Sequence, residues 1–583
     1  MEIRKGIGVS VGYAIGEAFV LDREQVRITR RTIEDRDLEA EVGRYRKALE
    51  ECVEETRDRI EAMPRRVRAA AGAILEAQIR LFQDPTLNED IIGDIRKNRN
   101  SAEYAVSKAL RRRIKALEDN RNESNRDLVE RSVSELTDME RTLLRALLGS
   151  KREDITHLTR KVIVVAHDLS PAQTLGLDRN NVLGFLTEVG GPTSHTAIVA
   201  RSLGLPAVVG VEGVTHDVGG GDLLILDGGS GTVIIDPDVG TLKRYEAQAR
   251  NYALQEERIT REQRDLAAVT RDGTRVTILA NIDRPEEIPS ALEHGAEGVG
   301  LYRTEFLYLE HGNDPGETVH HEAYRRAVQL LGNRRLVIRT MDLGADKMPL
   351  DGMAREDNPF LGTRAIRLCL LRPEIFRAQL RAILRVASLG NVSVMVPMIS
   401  SLREILLARE VLESVRAELR KETAGPPGEV QFGIMIEVPS AAIVADRLAP
   451  HVDFFSVGTN DLICYTVAVD RKNERVASLY QPAHPAVLSL LRQVIEAGTR
   501  QGKPVSVCGE MAGDVLYTLP LLGMGLRSFS IVPHMIPEIK KIIRSVSLDE
   551  AREVAARAFT FDDPAATDEY LRSEVRKRLP DAV

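Results

Sequence analysis

The sequence predicts a multidomain α/β protein: an α/β domain interrupted by a helical bundle, then a long connector helix, then a (β/α)8 barrel. Three observations predict it. Strand-like runs stand on both sides of a charged, strand-free stretch, the second half alternates strand and helix eight times, and 583 residues exceed what one hydrophobic core serves, so about three or four domains are expected.

The opening run GIGVSVGYAIGEAFVLD places glycines between apolar residues, as turns between short strands do. From about Asp35 to Leu148 the strand signals vanish. Leu38, Val42, Tyr45, Leu49, Val53 and Ile60 recur at the spacing of one helix face. Ile74 to Phe82, Tyr104 to Leu117 and Leu128 to Leu148 predict three further helices, with Asp84-Pro85 ending the second. Strands return at VIVVAH (162–167), VLGFLT (182–187), PAVVGV, DLLILD and GTVIID. Residues 1–34 and 149–238 are therefore expected to form one α/β domain, with the bundle at 35–148 as its insertion. Residues 239–267 are charged on most faces and free of proline, which predicts a connector helix of about 40 Å. From 268 to 583 the runs VTILAN, GVGLYR, LVIRTM, VSVMVPM, FGIMIEV, DFFSVG, VSVCGE and SFSIVP alternate with helical stripes such as AYRRAVQLLG. That is the order of a barrel whose active site lies at the carboxyl ends of the strands.

Composition narrows the class. Charged residues make up 29%, hydrophobic residues 43% and the net charge is -7, a soluble globular profile with no excess of positive charge for nucleic acid. No apolar run approaches the roughly 20 residues that span a bilayer, and MEIRKGIGVS lacks the apolar stretch of a secretory signal, so a cytoplasmic location is expected. Cys52, Cys369, Cys464 and Cys508 are too scattered for a CxxC site or a disulfide framework, and Cys52 and Cys369 fall on helical stripes as core residues.

The ends of the eight barrel runs present, in turn, Asn281 and Asp283, Arg303, Arg339 and Asp342, Met398, Glu437, Asn460 and Asp461, Cys508 and Glu510, and Pro533. Arginines on different strands suit a small dianion, because the guanidinium fork pairs with carboxylate or phosphate through two parallel hydrogen bonds. Glu437 and Asp461 offer hard oxygen ligands for a Mg²⁺ ion that keeps several waters and touches a phosphate. Any one of these residues is as often a solvated loop residue or a structural ion pair; their convergence on one mouth reads as a site for phosphate plus carboxylate. A cysteine inside VSVCGE is ordinarily a buried structural thiol. Its place at the seventh strand end favours a function for Cys508.

The other concentration of signal is GGPTSHTAIVARSLGLPAVVG, residues 190–210, a turn entering a helix with Thr193 or Ser194 as N-cap and His195 in the first turn. A neutral imidazole is nucleophilic near physiological pH, and a phosphate on its ring would face free backbone amides at the positive helix end. Histidines near helix starts are more often caps or surface residues, the reading given to His157, His216, His294, His320 and His321.

This segment resembles the phosphohistidine signature of the phosphoenolpyruvate-protein phosphotransferase family, the enzymes I of the bacterial sugar phosphotransferase system. GLYRTEFLY, IRTMDLGADK, NPFLGTRAIR, IMIEVPSA, FFSVGTNDL and VCGEMAGD resemble its phosphoenolpyruvate-site blocks in the same order. The resemblance implies a swivelling phosphohistidine domain and a TIM-type barrel. It implies that His195 is phosphorylated by phosphoenolpyruvate, as a tele-phosphohistidine, with release of pyruvate, and passes the group to the histidine phosphocarrier protein HPr in sugar uptake. Arg303, Arg339, Arg364, Asn460 and Arg471 would bind substrate, Glu437 and Asp461 would ligate Mg²⁺, and Cys508 would protonate the enolate. The helical insertion would dock HPr, the barrels would pair into a homodimer, and neither nucleic acid nor membrane insertion is implied. Two stretches depart from the family pattern: Ile463 and Cys464 stand where polar residues are expected, and an aspartate is missing near Ser134. A dikinase sharing the swivelling histidine needs a nucleotide-binding domain, for which the residues ahead of the His195 strand leave no room. A barrel lyase acting on an oxo-acid would leave the His195 segment without a role.

Overall fold

The computed structural model describes all residues except 22–32, 63–78, 80–81, 120–135, 137–138, 141, 145, 148–157, 159, 170–180, 192–193, 220, 312–314, 345–355, 357, 423–427, 471–472, 474–475 and 579–583. The first three strands, β1 (Glu2–Lys5), β2 (Ile7–Ser10) and β3 (Tyr13–Val20), join β4 (Val162–Ala166), β5 (Val182–Thr187), β6 (Ala207–Val209), β7 (Leu223–Asp227) and β8 (Thr232–Ile235) in one sheet of order β1-β8-β7-β3-β4-β5-β6-β2. β3 runs parallel to β4, with Glu17 opposite Val162, so the chain leaves one sheet, builds a separate body and re-enters the same sheet. β4 reads VIVVA and every residue in it is buried, as expected of a central strand covered on both faces.

The inserted body is helical: α1 (Leu38–Ala62), α2 (Pro85–Asn98) and α3 (Ala102–Asp119) share a core of Val42, Tyr45, Leu87, Ile91 and Val106, to which Leu136, Met139 and Leu143 add. Cys52 lies in this core, as its stripe predicted. Asp84-Pro85, expected as a helix stop, also starts α2. The Asp84 carboxylate accepts the Leu87 N–H at 3.0 Å, and Pro85 takes the first helical position, where a missing N–H costs nothing. Most of the helix expected at 74–82, and Ser134, lie outside the described residues.

Beyond the short helix α4 (His195–Leu203), the connector α5 runs Val239–Gln263, ending before residue 267, and none of its side chains is fully buried. Tyr13 meets it edge-on through Tyr245 at 6.1 Å and Tyr252 at 6.0 Å.

After the two-residue strand β9 (Ala268–Val269), the barrel strands are β10 (Arg275–Ile282), β11 (Gly298–Tyr302), β12 (Arg335–Arg339), β13 (Val392–Val396), β14 (Gln431–Ile436), β15 (Phe454–Val457), β16 (Val505–Val507) and β17 (Ser528–Ile531). All eight expected runs are present. They are parallel, and β17 closes on β10 with Ser528 opposite Thr277. Leu301, Val337, Met395, Met435 and Phe454 fill the inside of the barrel, and Cys508 belongs to this inner cluster.

His320 corrects the surface reading made of it. It is wholly buried on the helix Glu317–Leu331, with Nδ1 at 3.0 Å from the Tyr324 hydroxyl and no hydrogen-bond partner at Nε2. The stripe Tyr324, Ala327, Val328 and Leu331 begins at this histidine, so helical spacing carries it into the core. Burial lowers its pKa from 6.5 to about 4. The fold therefore favours the neutral ring. Its contribution is complete above pH 6.5 and is lost as pH falls towards about 4, the loss amounting to roughly 3 kcal/mol at the acid end. A His320→Phe variant should lose less of its urea midpoint between pH 7 and pH 4.5 than the parent protein; an equal loss would mean that this ring does not set the acid sensitivity.

Candidate active site

The side chains at the carboxyl ends of the barrel strands form one charged network. Arg339 closes β12, and its guanidinium donates to Glu305 at 2.7 Å and pairs with Asp342 at 3.1 Å. Arg364 is 2% exposed and bridges Asp342 at 2.8 Å and Asp461 at 3.0 Å, with Tyr465 Oη at 3.4 Å and the Phe360 ring centre at 5.2 Å. Burial alone would push both guanidiniums towards the neutral form. Glu305 and Asp342 reverse that for Arg339, as Asp342 and Asp461 do for Arg364, so both stay charged. Arg303, partly exposed, donates to Asp283 at 3.1 Å.

Backbone strain gathers here. Met398 has φ +60° and Ala365 φ +51°, left-handed values costly for residues with a Cβ. The first aims the Met398 N–H at Glu437 Oε1, 2.6 Å away, and the second follows Arg364. Gly458 also answers to Glu437: a Cβ on it would stand 2.8 Å from Glu437 Oε2. Burial, then the carboxylates of Asp461 and Asp342, raise the Glu437 pKa, while Arg339 and Arg364 oppose them. A hard dication would relieve this crowding, and Glu437 and Asp461 are of the donor type that suits it. Among the described residues no group of three or more His, Cys, Asp or Glu side chains is placed to hold a metal.

Asn460 lies in the first turn of α6 (Thr459–Val467) and exchanges two hydrogen bonds with Glu510: its amide donates to Oε1 at 2.8 Å, and the Glu510 N–H returns to its carbonyl at 2.9 Å. Ile463 and Cys464, the apolar departures, are buried in the same helix, where apolar side chains belong. Cys508 is buried with Sγ 3.5 Å from the Val457 carbonyl oxygen, and burial, only partly opposed by a hydrogen bond with Ser456, pushes its pKa from 9.0 to about 11. The group is a thiol, able to give a proton, at neutral pH. The thiolate absorbance that separates the protein from its Cys508→Ser variant should therefore appear near pH 11; a difference already present near pH 9 would contradict a buried donor.

Ser194 is the N-cap of α4, its hydroxyl accepting the Ala197 N–H at 3.3 Å, and His195 is the first helical residue. The far end of α4 lies on the barrel mouth, where Arg201 donates to Glu510 at 3.1 Å. The mouth thus brings together Arg303, Arg339, Arg364, Glu437, Asn460, Asp461 and Cys508. Arg471 lies outside the described residues, as does the side chain of His195. Asp342 and Glu510 also stand at strand ends, and the contacts that tie them to the arginines and to Asn460 are not legible in the sequence. Glu305 was missed altogether; the motif GLYRTEFLY carries it two positions after Arg303.

Three family models match the chain: PEP-utilising enzyme, N-terminal, over residues 5–127; PEP-utilising enzyme, mobile domain, over 158–231; and PEP-utilising enzyme, PEP-binding domain, over 257–548. Proteins named phosphoenolpyruvate-protein phosphotransferase are similar over nearly the whole length. That of Staphylococcus carnosus is 40% identical across 95% of this chain and 96% of its own. That of Haemophilus influenzae is 40% identical across 97% and 98%, and that of Bacillus subtilis 39% across 94% and 96%.

Proposed function

This chain belongs to the phosphoenolpyruvate-protein phosphotransferase family, and from that premise we propose that it takes the phosphoryl group of phosphoenolpyruvate onto His195 and hands it to the histidine phosphocarrier protein HPr. The observation that carries this reading is that α4, with His195 as its first residue, sits against a barrel mouth holding two buried guanidiniums and a protonated thiol.

In the first half-reaction a neutral His195 ring nitrogen attacks phosphorus in line with the enol oxygen. The N–P bond forms as the P–O bond breaks, and the electron pair stays on the enolate. The Cys508 thiol gives its proton to the methylene carbon; the products are pyruvate and a thiolate that water reprotonates. Arg303 and Arg339 hold the dianion, with Asn460 and Arg471 completing its contacts. Arg364 binds at the same mouth and orients Asp461. Mg²⁺ held by Glu437 and Asp461 would supply charge neutralisation at the phosphoryl oxygens. Catalysis on this account is positioning plus electrostatics, as phosphoryl transfer generally requires.

The units proposed are a phosphohistidine domain of residues 1–34 and 149–238, an HPr-docking bundle at 35–148, a connector at 239–267 and a barrel at 268–583 that pairs into a homodimer. A cytoplasmic setting is proposed with them; among the described residues no helix is long and apolar enough to cross a membrane. His195 has to leave the barrel to meet the carrier, and the solvated connector suits a hinge. The test is to mix the protein with Mg²⁺ and labelled phosphoenolpyruvate and locate the modified residue by mass spectrometry. One phosphate on His195 per pyruvate released is expected. Pyruvate without phosphoprotein, or label on another residue, would refute the reading.

A further inference from the structure

We propose that Arg201 is a positioning residue for the first half-reaction alone, a latch that registers the His195 helix on the barrel through Glu510; this rests on the phosphotransfer reading above. The guanidinium is tied at both ends. One nitrogen donates to the Val9 carbonyl of its own sheet at 3.2 Å and another to Glu510 Oε2 across the domain boundary at 3.1 Å. Glu510 divides its two oxygens between the domains: Oε2 takes Arg201, while Oε1 takes the amide of Asn460 at 2.8 Å. An unbroken chain of polar contacts therefore runs from the sheet that carries α4 to a residue at the substrate site. Arg201 follows His195 by six positions, about 9 Å along the helix axis, so it anchors the far end of the element whose near end must meet phosphorus.

A second contact fixes the seat. Gly204 ends α4 at φ +65°, and a Cβ there would lie 3.2 Å from Nδ1 of His534, in the loop after the eighth strand. Arg201 on the seventh strand end and Gly204 on the eighth hold the helix at two points, which sets both its depth and its direction. Neither contact survives when the domain swings to the carrier. The latch must then act in one half-reaction and be absent from the other.

That asymmetry is the test. Arg201→Met keeps the length of the side chain and discards the charge. It should slow isotope exchange between labelled pyruvate and phosphoenolpyruvate by about ten- to a hundredfold, the scale of a misplacement near 1 Å, with KM for phosphoenolpyruvate within about twofold. The variant, phosphorylated to completion over a longer time and desalted, should pass its phosphate to an HPr-type carrier at the parent rate, which also shows that it is folded. Arg201→Lys should recover part of the exchange rate. Glu510→Gln retains an oxygen for Asn460 and should reproduce the loss, and the double variant should fall no further than either single one. Parent-like exchange in Arg201→Met, equal losses in both half-reactions, or additive losses in the double variant would overturn the assignment. An unmodified His195 in the parent protein would instead refute the underlying function.

Discussion

His195→Ala should yield no acid-labile, base-stable phosphoprotein from labelled phosphoenolpyruvate, and pyruvate release should drop to background. The reaction needs a neutral nucleophile in line with the enol oxygen, and alanine offers none. The fold should not suffer. His195 is the first residue of α4, where Ser194 already supplies the cap, and alanine is the best helix former. Substrate binding should persist within about twofold, because the mouth is built on the barrel, whose outer and inner clusters are separate from the core of the α/β sheet. Calorimetric titration with phosphoenolpyruvate and Mg²⁺ gives the second number, and radiolabelling gives the first. Persistent label of the same stability in this variant would mean that the nucleophile lies elsewhere.

What the sequence carried, and what it withheld, follows from the range of the interactions involved. The central strands of both sheets were legible because a strand covered on both faces reads as a nearly continuous apolar run, as VIVVA does in the first α/β sheet and VSVMV, interrupted only by Ser393, does in the barrel. The N-cap at Ser194 was legible because its reach is three residues. α2 escaped because Pro85 is both a helix breaker and a favoured first residue, and only the spacing of Leu87, Ile91 and Ile95 decides between them. Arg364 is a different case. No strand end or periodicity points to it, and it entered through a family block; its bridge from Asp342 to Asp461 spans 97 residues of sequence on one side. The Arg201–Glu510 pair joins residues 309 positions apart in two domains, and nothing local to either could have paired them.

Arg364→Ala should be the most damaging substitution in the barrel, and for a reason that separates structure from catalysis. The guanidinium is 2% exposed and answers two carboxylates, Asp342 and Asp461, beside a third, Glu437, that burial and these neighbours already push towards protonation. Removing it leaves buried negative charge without its partner, which costs about 3 to 5 kcal/mol of stability. Activity should fall independently, because a desolvated arginine contact contributes about 2 to 5 kcal/mol, or two orders of magnitude or more in kcat/KM. Three measurements part the two effects. The urea midpoint of Arg364→Ala should recover relative to that of the parent as pH is lowered from 8 to 5, since protons then neutralise the abandoned carboxylates and the folded variant binds more of them than the unfolded chain. Arg364→Lys should regain much of the stability, one ammonium still answering the charge, yet little of the turnover, because a point charge cannot bridge Asp342 and Asp461 while reaching Tyr465. Arg364→Ala together with Asp342→Asn should be more stable than Arg364→Ala alone, and no more active. A midpoint deficit that does not shrink as pH falls would refute the charge account of stability, and a lysine variant that restores turnover in step with stability would show that Arg364 supports the barrel without serving the reaction.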